Sequence, residues 1–352
     1  MELIKVASLK EGMVVSKTIF RVDGSVVLGK GTELKKTFIH KLEKLGIDEI
    51  YIESQLTESI EPKEMILEET RNQVNKAMHD AMSNLALSDE MDLVLLRALM
   101  DDIIEDLVDQ DKLLERFIDV KAADDYTTAH CINVSIWSIV IGMSLGYGAE
   151  QLKILGMGAL LHDVGKARVD ENILNKPTKL TKEEFEAMKN HTIKGYEVLK
   201  RIPGLEPEIA NIALFHHERV DGTGYPYETR GDAIPELAKI VSVADVFDAL
   251  TSDRVYRKKM ETYMVADYLH SMKGIQFEER IVNAFCSNLA LYPSGKRIKL
   301  TDGRRGYVII SDRRDLAKPM VLVTHGKSLR REVSPYLLRL IDYEDLYIED
   351  VY

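Results

Sequence analysis

The chain has 352 residues, of which 45% are hydrophobic and 30% charged; this composition is typical of a globular protein with two or three domains and excludes a disordered or fibrous one. Lysine and arginine total 47 against 58 acidic residues. The resulting net charge of −11 argues against a protein that coats large nucleic acids, because such binding needs many cationic phosphate contacts. A small anionic ligand held by a few local cations stays open. The two cysteines cannot form a disulfide framework and indicate the reducing cytoplasm.

The first residues show no signal peptide, because no basic segment precedes an apolar one. One later stretch, Cys131–Ala149, carries no charge and approaches the length of a membrane span. It also contains Asn133, three serines and three glycines. We therefore expect a buried core helix here and no membrane span.

Residues 1–55 predict a small mixed α/β module. The β-rich runs Met13–Ile19 and Ser25–Leu28 flank an Asp-Gly pair, which signals a hairpin. Glu33–Leu45 has apolar residues at helical spacing, and Asp48–Ile52 alternates as a strand does. The amino-terminal segment therefore predicts two or more strands around one helix.

Residues 56–119 predict a polar linker followed by an acidic helical region. From about Glu64 onward, leucine, isoleucine and methionine recur at helical spacing. Such a stripe usually packs against the next domain or a second subunit. Two interpretations stay open, a homodimer through residues 64–119 and a helical hairpin within one chain.

Residues 120–292 predict a mainly α-helical domain. Within it, Thr181–Glu184 is a capping box, which predicts the start of one helix that runs through His191 and Leu199. Residues 293–352 predict a small β-rich extension.

In that extension, Arg297–Ile310 predicts a hairpin that turns at an Asp-Gly pair, and Met320–Thr324 predicts a further strand. The predicted fold class is therefore mainly α, with a helical-bundle domain between a small mixed module and a β-rich tail.

Five of the nine histidines lie between positions 130 and 217. His162 and Asp163 are adjacent at the end of an apolar helix, where neighbouring side chains diverge by about 100°. A carboxylate has two oxygens, so Asp163 can bridge two cations while His162 binds one of them. Lys166 follows on the same face, where its ammonium can reach an anionic ligand. The alternative is an ordinary His-Asp hydrogen bond that ends a helix.

Two further clusters carry acidic or imidazole groups. Consecutive His216 and His217 at a helix end can both reach one centre, and a glycine-containing loop follows them. Asp245 and Asp248 lie three residues apart on an apolar helix and share a face. Because a buried carboxylate is costly unless it is paired or bound to a metal, at least one of these acids is a candidate ligand.

Together these motifs resemble the HD superfamily of metal-dependent phosphohydrolases, and within it the HD-GYP subgroup. The resemblance covers roughly residues 120–290. It is carried by Tyr126–His130 with Asn133-Val134, Leu161–Lys166, Asn190-His191 with Gly195-Tyr196, His216–Pro226, and Asp245–Ser252 followed by Arg254, Tyr256 and Arg257. The segment His216–Pro226, with its complete Gly-Tyr-Pro triplet, is the most specific of these. Residues 1–55 resemble, more weakly, the small domain often found ahead of HD-GYP domains.

The resemblance implies an HD-type helical bundle that hydrolyses cyclic di-GMP to linear pGpG, and in some members on to GMP. It implies two divalent ions, most often iron or manganese, with zinc as a further possibility. Such a pair, about 3.5–4 Å apart, holds a phosphate oxygen and activates water near neutral pH. Carried over residue by residue, one ion takes His130, His162, Asp163 and Asp245, and the other takes Asp163, His191, His216 and His217.

The resemblance also implies how substrate is bound. Asp163 and Lys166 are the catalytic residues, and Lys166 neutralises phosphate charge. Arg254 and Arg257 match positions that bind the second phosphate or a guanine, for which a planar guanidinium is suited. Tyr225 is a further substrate contact, and its loop offers a surface for protein partners.

One position departs from part of the family. Some members bind a third metal through a glutamate four residues before the first histidine, and Tyr126 stands there in this chain. We therefore expect two metals, which leaves the second step from pGpG to GMP open.

Two alternatives to an active cyclic di-GMP phosphodiesterase remain at this point. One is a catalytically silent receptor that binds cyclic di-GMP. The other is an HD hydrolase for a nucleotide or another cyclic dinucleotide; the complete Gly-Tyr-Pro segment argues against the nucleotide.

Overall fold

The computed structural model describes residues 1–20, 26–47, 49–54, 65–87, 91–108, 126–174, 176, 178–252, 259–312, 314–327 and 332–352. These residues divide into two compact units. The first unit combines the described parts of 1–65 and 289–352 with Tyr126, and the second combines those of 66–110 and 127–288. The domain boundaries drawn from sequence remain a prediction.

The amino-terminal part of the first unit contains two short antiparallel strand pairs and a helix. Strand β1 (Glu2–Lys5) pairs with β4 (Glu49–Ile52), strand β2 (Ile19–Phe20) pairs with β3 (Val26–Leu28), and helix α1 spans Lys36–Lys44. The apolar side chains of this segment form one core, which includes the fully buried Val15 and Leu42. The helix predicted within Glu33–Leu45 is confirmed as α1, and the strand predicted up to Ile52 is confirmed as β4. The predicted first hairpin strand is much shorter than expected, and its turn lies outside the described residues.

The carboxyl-terminal part is a five-stranded antiparallel sheet in the order β8-β7-β6-β5-β9. Its strands are β5 (Arg297–Leu300), β6 (Arg305–Asp312), β7 (Asp315–His325), β8 (Glu332–Arg339) and β9 (Ile348–Val351). The predicted β5–β6 hairpin is confirmed, and β7 extends the predicted strand in both directions. Strands β8 and β9 were not predicted, because the sequence at this end lacks a clear alternation.

A buried ion pair joins the two ends of the chain within the first unit. Lys296 Nζ lies 2.7 Å from Glu49 Oε1, and the two side chains are only 2% and 6% exposed. Removing one member of a buried pair leaves a charge without its counter-ion, which costs about 3–5 kcal/mol. We expect Lys296→Met to lower the free energy of unfolding by about that amount, as measured by urea denaturation.

The matched control is Lys299→Met. Lys299 pairs with Glu349 at 2.6 Å, but its side chain is 31% exposed and that of Glu349 is 48% exposed. Because exposed pairs contribute about 0–1 kcal/mol, we expect little change. Equal losses for the two variants would contradict a special contribution from the buried pair.

The second unit is helical. Its helices are α2 (Glu68–Leu87), α3 (Leu93–Val108), α4 (Tyr126–Ser144), α5 (Ala149–Leu161), α6 (Glu171–Leu174), α7 (Lys182–Lys189), α8 (His191–Leu199), α9 (Pro207–Phe215), α10 (Glu236–Thr251), α11 (Thr262–Ser271) and α12 (Glu279–Cys286). The predicted mainly helical fold is confirmed.

The apolar stripe of the acidic region is buried within the chain. On α3 it includes Leu96, Met100 and Ile103, and this helix packs against α2 and α5. The intrachain hairpin therefore accounts for the stripe. A homodimer through residues 64–119 stays a prediction.

Helix α4 is a core helix, as predicted for its uncharged sequence. Ile132, Val134, Ile139 and Val140 are completely buried. Among the described residues, no helix is both long and apolar enough to cross a membrane.

The capping box forms as predicted, but the helix after it is interrupted. Thr181 Oγ1 accepts from the Glu184 amide at 3.2 Å, while the Glu184 carboxylate accepts from the Thr181 amide at 2.7 Å. The prediction of one continuous helix is wrong, since α7 ends at Lys189 and α8 begins at His191. The side chains of Asn190, His191 and Thr192 donate to carbonyl groups of the preceding turn, in competition with the regular backbone bonds.

Candidate metal centre

The seven predicted ligands come from five places in the helical unit. His130 lies on α4 and Asp245 on α10, both within a helix. The others sit at helix ends, where the backbone turns inward: His162 and Asp163 directly after α5, His191 at the first residue of α8, and His216 and His217 directly after α9. Stretches separated by more than one hundred residues thus supply one site.

The structure brings these side chains together as two groups. We call Asp163, His191, His216 and His217 the triple-histidine cluster, and His130, His162 and Asp245 the His130 cluster. Within each cluster the candidate ligand atoms all lie within 4.8 Å of one another. Ligands bind transition metals at about 2.0–2.2 Å, so atoms on opposite sides of an ion are about 4 Å apart. Both clusters therefore have room for one central ion.

Asp163 stands between the two clusters, and its two oxygens face different sides. Oδ2 lies 3.3 Å from His162 Nε2 and 3.9 Å from His130 Nε2. Oδ1 lies 3.4 Å from His191 Nε2 and 3.8 Å from His216 Nε2. This is the placement of a carboxylate that bridges two cations.

The donor atoms fit metal ions. The Nε2 atoms of His162, His191 and His216, together with Asp163 Oδ1, are buried and have no hydrogen-bond partner within the described parts of the chain. Orphaned buried polar atoms are costly, and these four, divided between the two clusters, are suited to bind cations. The two clusters contain five imidazoles and two carboxylates, a donor set that suits iron, manganese or zinc better than magnesium.

Backbone carbonyl groups orient three of the imidazoles. The Nδ1 atoms of His162, His191 and His216 lie 2.6 Å from the Ala159 carbonyl, 2.7 Å from the Met188 carbonyl and 2.9 Å from the Ala213 carbonyl. A carbonyl only accepts, so each Nδ1 carries the proton and each Nε2 keeps a lone pair for the centre. The ends of α5, α7 and α9 thus fix both the tautomer and the ring direction.

His130 is oriented by a carboxylate instead. Its Nδ1 lies 2.7 Å from Asp248 Oδ2, and its Nε2 lies 3.1 Å from Asp245 Oδ1. Sequence reasoning left open which of the two acids is a ligand; the structure directs Asp245 to the centre and Asp248 to the back of the His130 ring. Asn133 Nδ2 donates to Asp248 Oδ1 at 2.9 Å and Asn133 Oδ1 accepts from Arg71 at 3.1 Å. Sequence patterns did not predict the Arg71 contact.

The protonation of the clusters follows from burial and charge. Burial lowers the pKa of His191, His216 and His217, in His217 to about 3, so these rings are neutral at physiological pH. Burial opposes the charged form of His130 as well, but hydrogen bonds with Asp245 and Asp248 raise its pKa to about 9. Burial alone would raise the pKa of Asp163, yet the charge of Lys166 and the nearby imidazoles hold it well below its ordinary value.

A short 3-10 turn, Val164–Arg168, carries Lys166 against the centre. Lys166 Nζ donates to Asp163 Oδ2, and its side chain is 26% exposed, so it lies at the open side of the site. Gly165 in the same turn touches the start of α8 so closely that an added Cβ would lie 1.9 Å from the His191 carbonyl oxygen. This contact was not predicted, although a glycine between Asp163 and Lys166 is a signal of close backbone approach.

The Gly-Tyr-Pro loop folds back on the end of α9. The buried Glu218 accepts from the backbone amides of Tyr227 at 2.7 Å and Thr229 at 3.1 Å. At Gly224 an added Cβ would lie 2.5 Å from the backbone of Glu218, so only glycine fits there. As a result the Tyr225 ring centroid lies 4.7 Å from that of His217, beside the triple-histidine cluster.

Two predicted substrate contacts, Arg254 and Arg257, lie outside the described residues, and their role stays a prediction. Tyr126, at the position of the third-metal glutamate, is the first residue of α4.

The profile of the HD domain family matches residues 102–281. The chain belongs to the HD domain family. It is 33% identical over 225 residues to the cyclic di-GMP phosphodiesterase PA4108 of Pseudomonas aeruginosa, which covers 64% of this chain and 54% of that protein. It is 40% identical over 166 residues to the cyclic di-GMP phosphodiesterase response regulator RpfG of Xanthomonas campestris, covering 47% and 44%.

A third relative is a 3′3′-cGAMP-specific phosphodiesterase 2 of Vibrio cholerae, 35% identical over 164 residues, which covers 46% of this chain and 31% of that protein. The HD-domain chain thus spans about half the length of the first two relatives, and less of the third. The predicted resemblance to HD-GYP proteins is confirmed.

Proposed function

We propose that this chain is a metal-dependent phosphodiesterase that hydrolyses cyclic di-GMP to linear pGpG. The observation that carries the proposal is the division of the Asp163 carboxylate, with Oδ2 toward His162 and Oδ1 toward His191. Two relatives that carry the name cyclic di-GMP phosphodiesterase support the choice of substrate.

In this proposal the His130 cluster holds one divalent ion and the triple-histidine cluster holds the other, with Asp163 shared between them. When bound, such a pair of ions activates water near neutral pH and neutralises charge on a phosphate. Iron or manganese is the proposed metal, with zinc as the alternative, because the donors are mostly imidazole nitrogens.

Lys166 supplies a positive charge beside Asp163. Its ammonium group contacts Asp163 Oδ2 and is partly exposed, so it can face a phosphate from the open side. Developing negative charge on the phosphate would then be stabilised by a group already held in place. We propose this charge stabilisation as the catalytic role of Lys166.

Aromatic side chains lie beside the triple-histidine cluster and suit a nucleotide. Phe185 is 46% exposed, and its ring centroid lies 6.4 Å from that of Tyr225. Lys189 Nζ lies 5.1 Å from the Phe185 ring centroid and 5.5 Å from that of Tyr225. An exposed aromatic face next to a cation favours stacking of a base whose phosphate enters the metal centre.

A prediction follows for Arg254, whose proposed partner is the second phosphate or a guanine. We expect Arg254→Ala to keep both metals and to raise KM for cyclic di-GMP about 10–100-fold, because a charge-assisted contact of about 1.5–3 kcal/mol is lost. Metal analysis beside steady-state kinetics measures both effects. The control is Lys259→Ala. Loss of metal in Arg254→Ala would contradict the proposal that Arg254 contacts only the substrate.

A second candidate substrate is 3′3′-cGAMP, favoured by the similarity to the Vibrio cholerae phosphodiesterase specific for it. It presents the same two phosphates with one adenine in place of a guanine. Discrimination between the two molecules therefore depends on contacts with the base edges and not on the metal centre.

The test is incubation of the metal-loaded chain with cyclic di-GMP, 3′3′-cGAMP and pGpG, followed by chromatography of the products. We expect cyclic di-GMP to be converted to pGpG, with little GMP because Tyr126 replaces the glutamate of three-metal members. Removal of metal with a chelator should abolish turnover, and added Mn²⁺ should restore it. Turnover of 3′3′-cGAMP alone would favour the second candidate. Tight binding of cyclic di-GMP without turnover would indicate a receptor.

A further inference from the structure

Helix α2 lies ahead of the HD domain match at residues 102–281, yet it reaches the metal centre. It packs against the 3-10 turn that carries Lys166. It also places the partly buried Arg71 next to α4. A segment outside the matched domain therefore contacts two parts of the site.

The contact of Arg71 continues as a chain of hydrogen bonds to a candidate ligand. Arg71 Nη1 donates to Asn133 Oδ1 at 3.1 Å, Asn133 Nδ2 donates to Asp248 Oδ1 at 2.9 Å, and Asp248 Oδ2 accepts from His130 Nδ1 at 2.7 Å. His130 Nε2 then faces Asp245 Oδ1 at 3.1 Å.

The direction of each bond in this chain is fixed by chemistry. A guanidinium only donates and a carboxylate only accepts, so the Asn133 amide must turn its oxygen toward Arg71 and its nitrogen toward Asp248. In the reversed amide, the NH₂ group would face the Arg71 donor and the oxygen would face the Asp248 acceptor. Arg71 and Asp248 thereby set the orientation of the Asn133 side chain from its two ends. Asn133 holds one oxygen of Asp248, and the other oxygen of Asp248 holds His130.

We propose that Arg71 is a positioning residue that orients His130 through Asn133 and Asp248, and so couples helix α2 to metal binding in the His130 cluster. This inference rests on the proposed metal-dependent function and names a residue outside the matched domain that supports it. Removal of outer partners of a metal-bound histidine typically weakens metal binding 10–100-fold. Asp248 contacts His130 directly, whereas Arg71 acts on His130 only through Asn133 and Asp248. We therefore expect an effect at the lower end of this range.

The experiment titrates the metal-free full chain with Co²⁺ and follows its visible absorption, which requires no substrate. We expect two ions per wild-type chain. In Arg71→Met, which keeps an apolar stem of similar length, one ion should bind about 10-fold more weakly with an altered spectrum, while the other is unchanged. Arg71→Lys keeps a donor toward Asn133 and should recover most of the affinity.

The matched control is Arg97→Met on the neighbouring helix α3. Arg97 donates to the Gly204 carbonyl at 2.6 Å and to Glu206 at 2.8 Å, and neither contact involves a residue of the chain of hydrogen bonds that ends at His130. We expect wild-type Co²⁺ binding for this variant. If Arg71→Met fails to fold, as judged by circular dichroism, Asn133→Ala interrupts the same chain from α4 and should weaken the same ion.

The outcomes separate this inference from the proposed function. If the wild-type chain binds two ions, and Arg71→Met and Asn133→Ala bind both ions as tightly as the wild type does, the inference is overturned. The proposed function then stays intact. Equal weakening of both ions would also overturn the inference, since the chain of contacts ends in one cluster. A wild-type chain that binds no Co²⁺ would overturn both. The double variant Arg71→Met with Asp248→Asn tests whether the residues act together. If its loss of Co²⁺ binding free energy differs from the sum of the losses in the two single variants, the residues form one connected chain.

Discussion

Asp163→Asn is expected to lose both metals and essentially all phosphodiesterase activity. The carboxylate offers one oxygen to each cluster, whereas an asparagine side chain has one oxygen, one NH₂ group and no charge. Whichever way the amide turns, one cluster receives a donor where a cation requires an acceptor. The change also removes the negative charge that the two ions share. We expect each ion to bind more than about 100-fold less tightly, beyond the 10–100-fold typical of outer partners.

Metal analysis after gel filtration, beside the product assay with cyclic di-GMP, measures this result. The matched control is Asp170→Asn, seven residues later in the chain. Asp170 is exposed and accepts from Asn172, and asparagine serves equally well at such a helix start. A full complement of two ions and normal turnover in Asp163→Asn would contradict the bridging role.

The candidate ligands stand out in the sequence because their chemistry is unusual in an apolar setting. His162 and Asp163 end a buried helix, and Asp245 interrupts one, so a metal was the simplest reason for each. The sequence could not divide them into clusters. That division depends on where five chain segments meet in space, and at the sequence level it came from the family resemblance alone.

The outer contacts were harder to predict. Asn133 lies three residues after His130, and Asp248 lies three residues after Asp245. Each spacing indicates that the two residues share one face of a helix. Which acid faces the metal depends on the rotation of α10 against α4, which periodicity does not determine. Arg71 lies 62 residues from Asn133, and an arginine on an acidic helix is typical of a solvated surface.

The fold was predicted best where one local signal dominates. The β5–β6 hairpin has a turn pair between alternating strands, and the capping box has paired side chains. The break between α7 and α8 was missed because Asn190 keeps helical backbone angles, φ −63° and ψ −10°, so the sequence pattern continues across it. That break lets His191 begin a new helix with its side chain facing the metal centre.

Gly165→Ala is expected to be the most damaging substitution outside the ligands themselves. The added Cβ would lie 1.9 Å from the His191 carbonyl oxygen and 2.5 Å from the Gly195 amide nitrogen, both backbone atoms, whereas ordinary contact begins near 3.4 Å. No side-chain rotation relieves this overlap, so the 3-10 turn and α8 must separate by about 1 Å or more. Overpacking of this kind costs about 1–3 kcal/mol of stability.

The same displacement moves Asp163 away from His191, since each lies next to the overlap in the chain. Metal–ligand distances tolerate only about 0.2 Å, so we expect the triple-histidine cluster to lose its ion even where the chain still folds. Gly195→Ala is the graded comparison, because its added Cβ lies 3.3 Å from Gly165 N and 3.5 Å from Ala213 Cβ. A gain of up to about 1 kcal/mol in helix propensity then offsets the tight fit, and near wild-type metal binding is expected.

Gly29→Ala in the other unit, where the nearest atom is Thr32 Oγ1 at 3.9 Å, controls for the glycine change itself. Urea denaturation gives the free energy of unfolding for the three variants, and Co²⁺ titration gives the number of ions. If Gly165→Ala bound two ions as tightly as Gly29→Ala, the turn and α8 would be able to separate without moving the ligands. The close contact at Gly165 would then contribute to stability alone, and the geometry of the centre would depend on the helix ends that orient its imidazoles.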